Sequence, residues 1–165
     1  MSGPCSPQGP GAIHNRLFGF EADFSGDLRC LPMAVRRKLD LAGVKLKLVH
    51  WNGLSPAERL TLVQWNDDGQ ALQELRNWLL ERSRNLPDGP AKPLEPAQAC
   101  DWQQSGTLPG EVDLSCAQLG LKIEPQRWSN LDELQRFALV KLSHPGHEHR
   151  NLPRALDEFG LLTDP

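Results

Sequence analysis

Tyrosine is absent from this 165-residue chain, aromatic residues reach only 6%, and there are two methionines. Leucine is abundant while the large β-formers are scarce, which favours helix over a sheet-rich fold. Long apolar runs are missing too. The longest clear one is Phe137-Ala138-Leu139-Val140, far short of the roughly 20 residues that span a bilayer. Nor is there a surplus of positive charge: 18 Lys and Arg stand against 21 Asp and Glu, a net charge of −3. That balance offers no field to a phosphate backbone, so neither nucleic acid nor a membrane is an expected partner. The cysteines Cys5, Cys30, Cys100 and Cys116 form no C-x-x-C pair, which reads as free thiols in a reducing compartment. Residues 1–16 carry Gly and Pro where a secretory signal needs an apolar run, so the cytoplasm is the expected location. No Gly-rich phosphate loop, Ser-His-Asp pattern or spaced carboxylate pair is visible, and no cofactor is predicted.

What is present suits one mainly α, compact helical domain. A chain of this size buries about 70% of its unfolded surface without needing metal or disulfides. Residues 1–16 read as a Gly/Pro-rich tail. Residues 17–165 read as a single domain of two lobes, 17–85 and 109–165. They are joined by a Pro-rich connector, 86–108, that cannot hold a long helix. Within it Trp102 is predicted to pin the connector to the body, and Phe18, Phe20 and Phe24 to pack the N-terminal segment.

The chain repeats itself. Shifted by 77 residues without a gap, 32–63 falls on 109–140, and nine of the 32 positions are identical. They include Gly43/Gly120, Lys45/Lys122, Trp51/Trp128, Leu54/Leu131 and Arg59/Arg136. This composition yields roughly two matches by chance. Each copy opens on a proline and an apolar stripe (Val35, Leu39, Ala42; Val112, Cys116, Leu119), and a glycine closes that helix. Alternating segments follow, VKLKL and LKI, which read as short strands able to pair with each other about a pseudo-twofold axis. A second helix then starts at a cap: Ser55 with Glu58, and Asp132 with Gln135. Arg59 and Arg136, at matching positions, read as a structural ion pair or cap. Further helices are predicted over 68–84 and Asn151–Glu158.

Candidate chemistry is sparse. His144, His147 and His149 flank Glu148 in a Pro-Gly loop, as a weak metal-site candidate whose spacing is not a standard ligand register. Cys30 follows Arg29 and precedes a helix start, two features that favour a reactive thiol. Cys116 lies on an apolar stripe and reads as a small core residue. Arg36-Arg37-Lys38 with Lys45 and Lys47 forms a basic patch, read either as a solvated helix face or as a surface for an acidic partner.

Residues 18–47, FGFEADFSGDLRCLPMAVRRKLDLAGVKLK, carry F-x-F-E-x-D-F, then L-R-C with Pro-Met, K-L-D and G-x-K-L, with Trp51 beyond. Residues 135–143, QRFALVKLS, precede His147, Glu148 and Asn151. Together these resemble the opening and closing signatures of the nitrate reductase-associated protein family over about 17–162. His149 and Leu152 depart from the closing signature. The resemblance implies a small protein tied to assimilatory nitrate reductase and to genes of molybdenum cofactor synthesis. It assigns no reaction, so Arg29, Cys30, Pro32, Met33, Trp51, His147 and Glu148 match signature positions without inherited chemistry. Two readings stay open. One is an accessory protein that contacts nitrate reductase, or another protein of that cofactor pathway, through Arg29, Cys30, Arg36, Arg37, Lys45, Lys47, His147, Glu148 and Asn151. The other is a thiol- or metal-dependent enzyme or carrier using Cys30 with His147 and Glu148.

Overall fold

The computed structural model describes residues 13–144 and 150–162, with all their side chains except those of Asp23 and Phe24. The fold is mainly helical, with one two-stranded antiparallel sheet. A short helix α1 (Ala22–Ser25) leads to α2 (Met33–Ala42) and strand β1 (Val44–Lys45). Then come α3 (Leu48–Asn52), α4 (Pro56–Gln64), α5 (Gly69–Arg82) and strand β2 (Lys92–Pro93). The chain ends with α6 (Gly110–Gln118), α7 (Pro125–Asn130), α8 (Glu133–Leu142) and α9 (Asn151–Glu158). Among the described residues no helix is long and apolar enough to cross a membrane.

Local chemistry accounts for the helix boundaries. Ser55 Oγ accepts the Glu58 N–H and Glu58 returns to the Ser55 N–H; Asp132 and Gln135 do the same for α8. Asp68 caps α5 by accepting the Ala71 N–H. Helix α2 ends because Gly43 takes φ +83°, and Gly120 takes φ +74° just after α6, a region that costs a side-chain-bearing residue about 1–2 kcal/mol.

Two buried clusters form the interior. One gathers Val35, Leu39, Trp51, Leu62, Leu75 and Leu79. The other gathers Phe20, Trp102, Val112, Trp128, Phe137 and Leu152. Helix α2 serves both, through Met33 and Ala34 on one side and Val35, Leu39 and Ala42 on the other. Helix α8 is central to its cluster and packs on α2, α6, α9 and the turn at Trp102. Phe18 and Phe20 close on Phe159 at ring distances of 5.0 and 6.1 Å. Glu158 accepts the Gly19 and Phe20 N–H groups at 3.0 and 2.8 Å. Trp102 meets the Phe137 ring edge-on at 5.0 Å, and so ties the connector down.

The aligned stretches share details beyond their element order. Trp51 and Trp128 are both fully buried. Each donates its indole N–H to a main-chain carbonyl, of Leu28 (2.7 Å) and Gln104 (3.1 Å). Arg59 donates to the carbonyls of Trp51 and Asn52, and Arg136 to those of Trp102 and Leu131. Both arginines therefore act as caps, and no carboxylate pairs with either at ion-pair distance among the described residues. Lys38 and Ser115, 77 residues apart, each donate to carbonyls at the end of their own second helix: Lys38 to Leu62, Val63 and Trp65, Ser115 to Ser143.

Three expectations need correction. The two alternating segments do not pair. Val44 sits opposite Pro93 and Lys45 opposite Lys92, whereas 121–123 forms no strand. Gly43 turns the chain so that its carbonyl accepts the Leu94 N–H (2.8 Å) and the Asp40 carbonyl accepts that of Ala97 (2.8 Å), which lays the connector against β1. In the second aligned stretch Pro125 starts a helix two residues after Ile123 and leaves no room for a strand. In each stretch a further short helix, α3 or α7, intervenes between the alternating segment and the capped helix and holds Trp51 or Trp128. Finally, Leu119 is exposed where its counterpart Ala42 is buried.

Candidate functional site

The basic run of α2 divides as the helix turns. Arg37 and Lys38 point inward. Arg37 forms ion pairs with Asp67 (2.9 Å) and Glu133 (2.8 Å) and is 6% exposed. It is thus held within the fold and is not offered to a partner. Lys38 has no exposed surface, and its Nζ lies 2.6–2.9 Å from three carbonyls. Those three acceptors match the three donors of an ammonium at the negative end of α4. Burial pushes this ammonium down to about 7, with Asp67 opposing that shift and Arg37 adding to it.

Arg36 faces outward. It lines a surface groove of about 590 Å³ together with Cys30, Leu31, Leu39, Asp40, Val44, Lys45, Leu46, Leu48, Leu94 and Lys141. The volume lies in the range of ordinary ligand and peptide sites. The groove is built where the loop before α2, the outer face of α2, strand β1, the connector after β2 and the end of α8 meet. Leu31, Leu39 and Val44 form its buried floor. Leu48 and Leu94 stand at its mouth, 50% and 39% exposed. Asp40 is paired with Lys141 at 3.3 Å. Arg36 donates Nε–H to the Leu31 carbonyl (3.3 Å). Lys45 is exposed and its side chain makes no ion pair or hydrogen bond among the described residues.

The groove therefore unites Cys30, Arg36 and Lys45, and adds Asp40 and Lys141, which lie in the quoted motifs without an assigned role, and Leu94, which no sequence signal marked. Arg29 is exposed and pairs with Asp27 (2.9 Å), and Lys47 pairs with Asp88 (2.7 Å). At the start of α2, after Cys30, the Met33 N–H donates to Glu21 Oε1 at 2.9 Å. Glu21 is fully enclosed and also accepts the Phe18 N–H at 3.0 Å. Burial raises the Glu21 carboxyl above its ordinary range, against those two hydrogen bonds. Cys116 is buried and its thiol is pushed up to about 11, as a core residue. Cys30, Cys100 and Cys116 are in no disulfide.

The closing loop adds less. His147, Glu148 and His149 lie outside the described residues. His144 is exposed and faces Glu111 at 3.4 Å. Among the described residues no three His, Cys, Asp or Glu side chains converge. Asn151 is the first residue of α9, and Leu152 beside it enters the second cluster. One imidazole that no motif singled out is enclosed: His50 accepts the Lys47 N–H at Nδ1 (3.1 Å) and lies 2.9 Å from the Gly89 carbonyl through Nε2. That geometry puts the proton on Nε2.

The groove thus combines an apolar floor with cationic walls. The family model for conserved nitrate reductase-associated proteins matches residues 17–159. The chain belongs to that family. No curated protein and no solved structure matches it. In this chain residues 18–47 contribute Cys30, Leu31, Arg36 and Lys45 to the groove, and residues 135–143 contribute Lys141.

Proposed function

We propose that this protein is a non-enzymatic accessory protein of assimilatory nitrate reductase, acting in the cytoplasm by direct protein contact. It serves the maturation, cofactor loading or activity of the enzyme, and its partner is nitrate reductase or another protein of the molybdenum cofactor pathway. The observation that supports this best is the groove: exposed Leu48 and Leu94 beside Arg36 and Lys45 offer apolar area to cover and charge to orient a partner. The family's link to nitrate reductase supplies the partner class. We also read the matched stretches as an internal duplication, supported by the paired tryptophans, arginine caps and helix-end donors.

The test uses purified chain and purified nitrate reductase from the same cell, with and without molybdenum cofactor, in sedimentation velocity and a molybdenum assay. A complex that Lys45→Glu with Leu48→Asp weakens at least tenfold is expected. No complex with either form of the enzyme, together with unchanged molybdenum content and activity, overturns the proposal.

A further inference from the structure

We infer that the groove binds a short segment of its protein partner in which leucine-type side chains are flanked by carboxylates. This rests on the docking role proposed above and gives the occupant its chemistry.

Charge decides the sign of the partner. Asp40, the single acid lining the groove among the described residues, is paired with Lys141 at 3.3 Å. Arg36 keeps guanidinium donors beyond its one bond to the Leu31 carbonyl, and Lys45 has no partner among the described residues. Two cations therefore stand over the groove in a chain whose net charge is −3. Attraction of an acidic group there is a contact-range effect, since the molecule as a whole repels it. An anion brought to the groove gains two charge-assisted donors without displacing an internal ion pair.

The apolar side sets the rest. Leu31, Leu39 and Val44 leave a greasy floor, and Leu46 is partly covered. Leu48 and Leu94 stand half-exposed at the mouth, with Val49 exposed next to Leu48. A small anion would engage the cations and leave these leucines in water. A chain segment can insert one apolar side chain and cover the mouth with the next, as groove-bound peptides do. The aligned second copy lacks such a surface. At its matching positions Asp113 replaces Arg36, Ala117 replaces Asp40 and Pro125 replaces Leu48, while Lys122 keeps the charge of Lys45. Lys122 is thus an internal control.

The test is fluorescence anisotropy on the full chain with a short fluorescein-labelled peptide carrying two leucines four positions apart between glutamates. A peptide with lysines for the glutamates, one with serines for the leucines, and inorganic phosphate as competitor complete the set. Saturable binding of the first peptide alone is expected, weakened at least tenfold by Lys45→Glu and by Leu48→Asp and unchanged by Lys122→Glu. Far-ultraviolet circular dichroism and thermal melts of the variants exclude unfolding. Equal binding of the serine peptide, displacement by phosphate, or indifference to Lys45→Glu overturns the inference. So does concentration-dependent self-association blocked by Lys45→Glu, because α6 itself exposes Leu114 beside Glu111 and Asp113, which would make a second copy the occupant. If the peptide fails while the reductase complex forms, the segment chemistry falls and the docking role stands. If the peptide binds and no reductase complex forms, the docking role falls.

Discussion

The stretches 32–63 and 109–140 follow the same helical order and differ in what they do with polar groups. In the second, α8 is enclosed by α2, α6, α9 and Trp102, and the carbonyl at its end takes a hydroxyl from Ser115. In the first, α4 ends on the buried ammonium of Lys38, and the outer face of α2 with β1 is left open as the groove. The same scaffold thus carries one half specialised for packing and one half that keeps an unpaired cationic surface. Matched positions with unlike neighbours teach which features belong to the scaffold and which to the site.

The largest expected contrast is at the helix-end donors. Lys38→Met removes three hydrogen bonds at the end of α4, where the Leu62 carbonyl keeps only the Trp65 N–H, and should destabilise by about 3 kcal/mol. Ser115→Ala removes one hydrogen bond and should cost about 1 kcal/mol. Urea denaturation of both variants reads the difference; equal losses would mean that the two devices carry equal weight.

The aligned glycines come next. A Cβ at Gly43 would meet the Leu94 carbonyl oxygen at 2.5 Å, whereas one at Gly120 meets nothing within 4 Å. Gly120→Ala should cost about 1 kcal/mol from its positive φ alone. Gly43→Ala should cost about 3 kcal/mol, because the β1–β2 contact must also shift, and it should weaken peptide binding in the groove. Thermal melts with the anisotropy assay measure both.

The smallest effect separates the two capping boxes. Hydrogen bonds from Arg82, with the Ser55 N–H, hold the Glu58 carboxyl down at about 2, below its ordinary 4.5. A lowered carboxyl contributes stability that is present above 4.5 and lost as the pH falls from 4.5 to about 2. Gln135, its counterpart, does not titrate. Glu58→Gln should therefore flatten the acid limb of a stability–pH profile slightly, the pair being partly solvent-exposed. An unchanged limb would mean that the Arg82 contact contributes nothing.

Much of this was readable in the chain. Apolar spacing with the cap residues Ser55, Glu58, Asp132 and Gln135 marked the first and last helices of each stretch, and identical residues at a fixed offset marked the two glycines, because caps and left-handed turns depend on local chemistry. The limits were equally physical. Arg36-Arg37-Lys38 reads as one solvated patch, yet Lys38 stands three residues after Val35 and four before Ala42, on the apolar stripe. Its placement there was a usable signal, whereas the acceptors it needed lie 24–27 residues away. The strand pairing failed as an expectation since two-residue strands take whichever edge the chain lays beside them, and that edge came from the connector. The groove shares this origin: Leu94 and Lys141 arrive from segments far apart in sequence.

The order of amino acids by itself determined where the capped helices begin, where glycines close α2 and α6, and that the chain is mainly helical, since these follow from near-neighbour hydrogen bonds and apolar spacing. Only the tertiary structure decided which cations are enclosed and which face water, and that a leucine of the connector and a lysine of α8 complete a groove with Cys30 and Arg36. Burial and charge pairing are properties of the assembled surfaces, and no local spacing along the chain contains them.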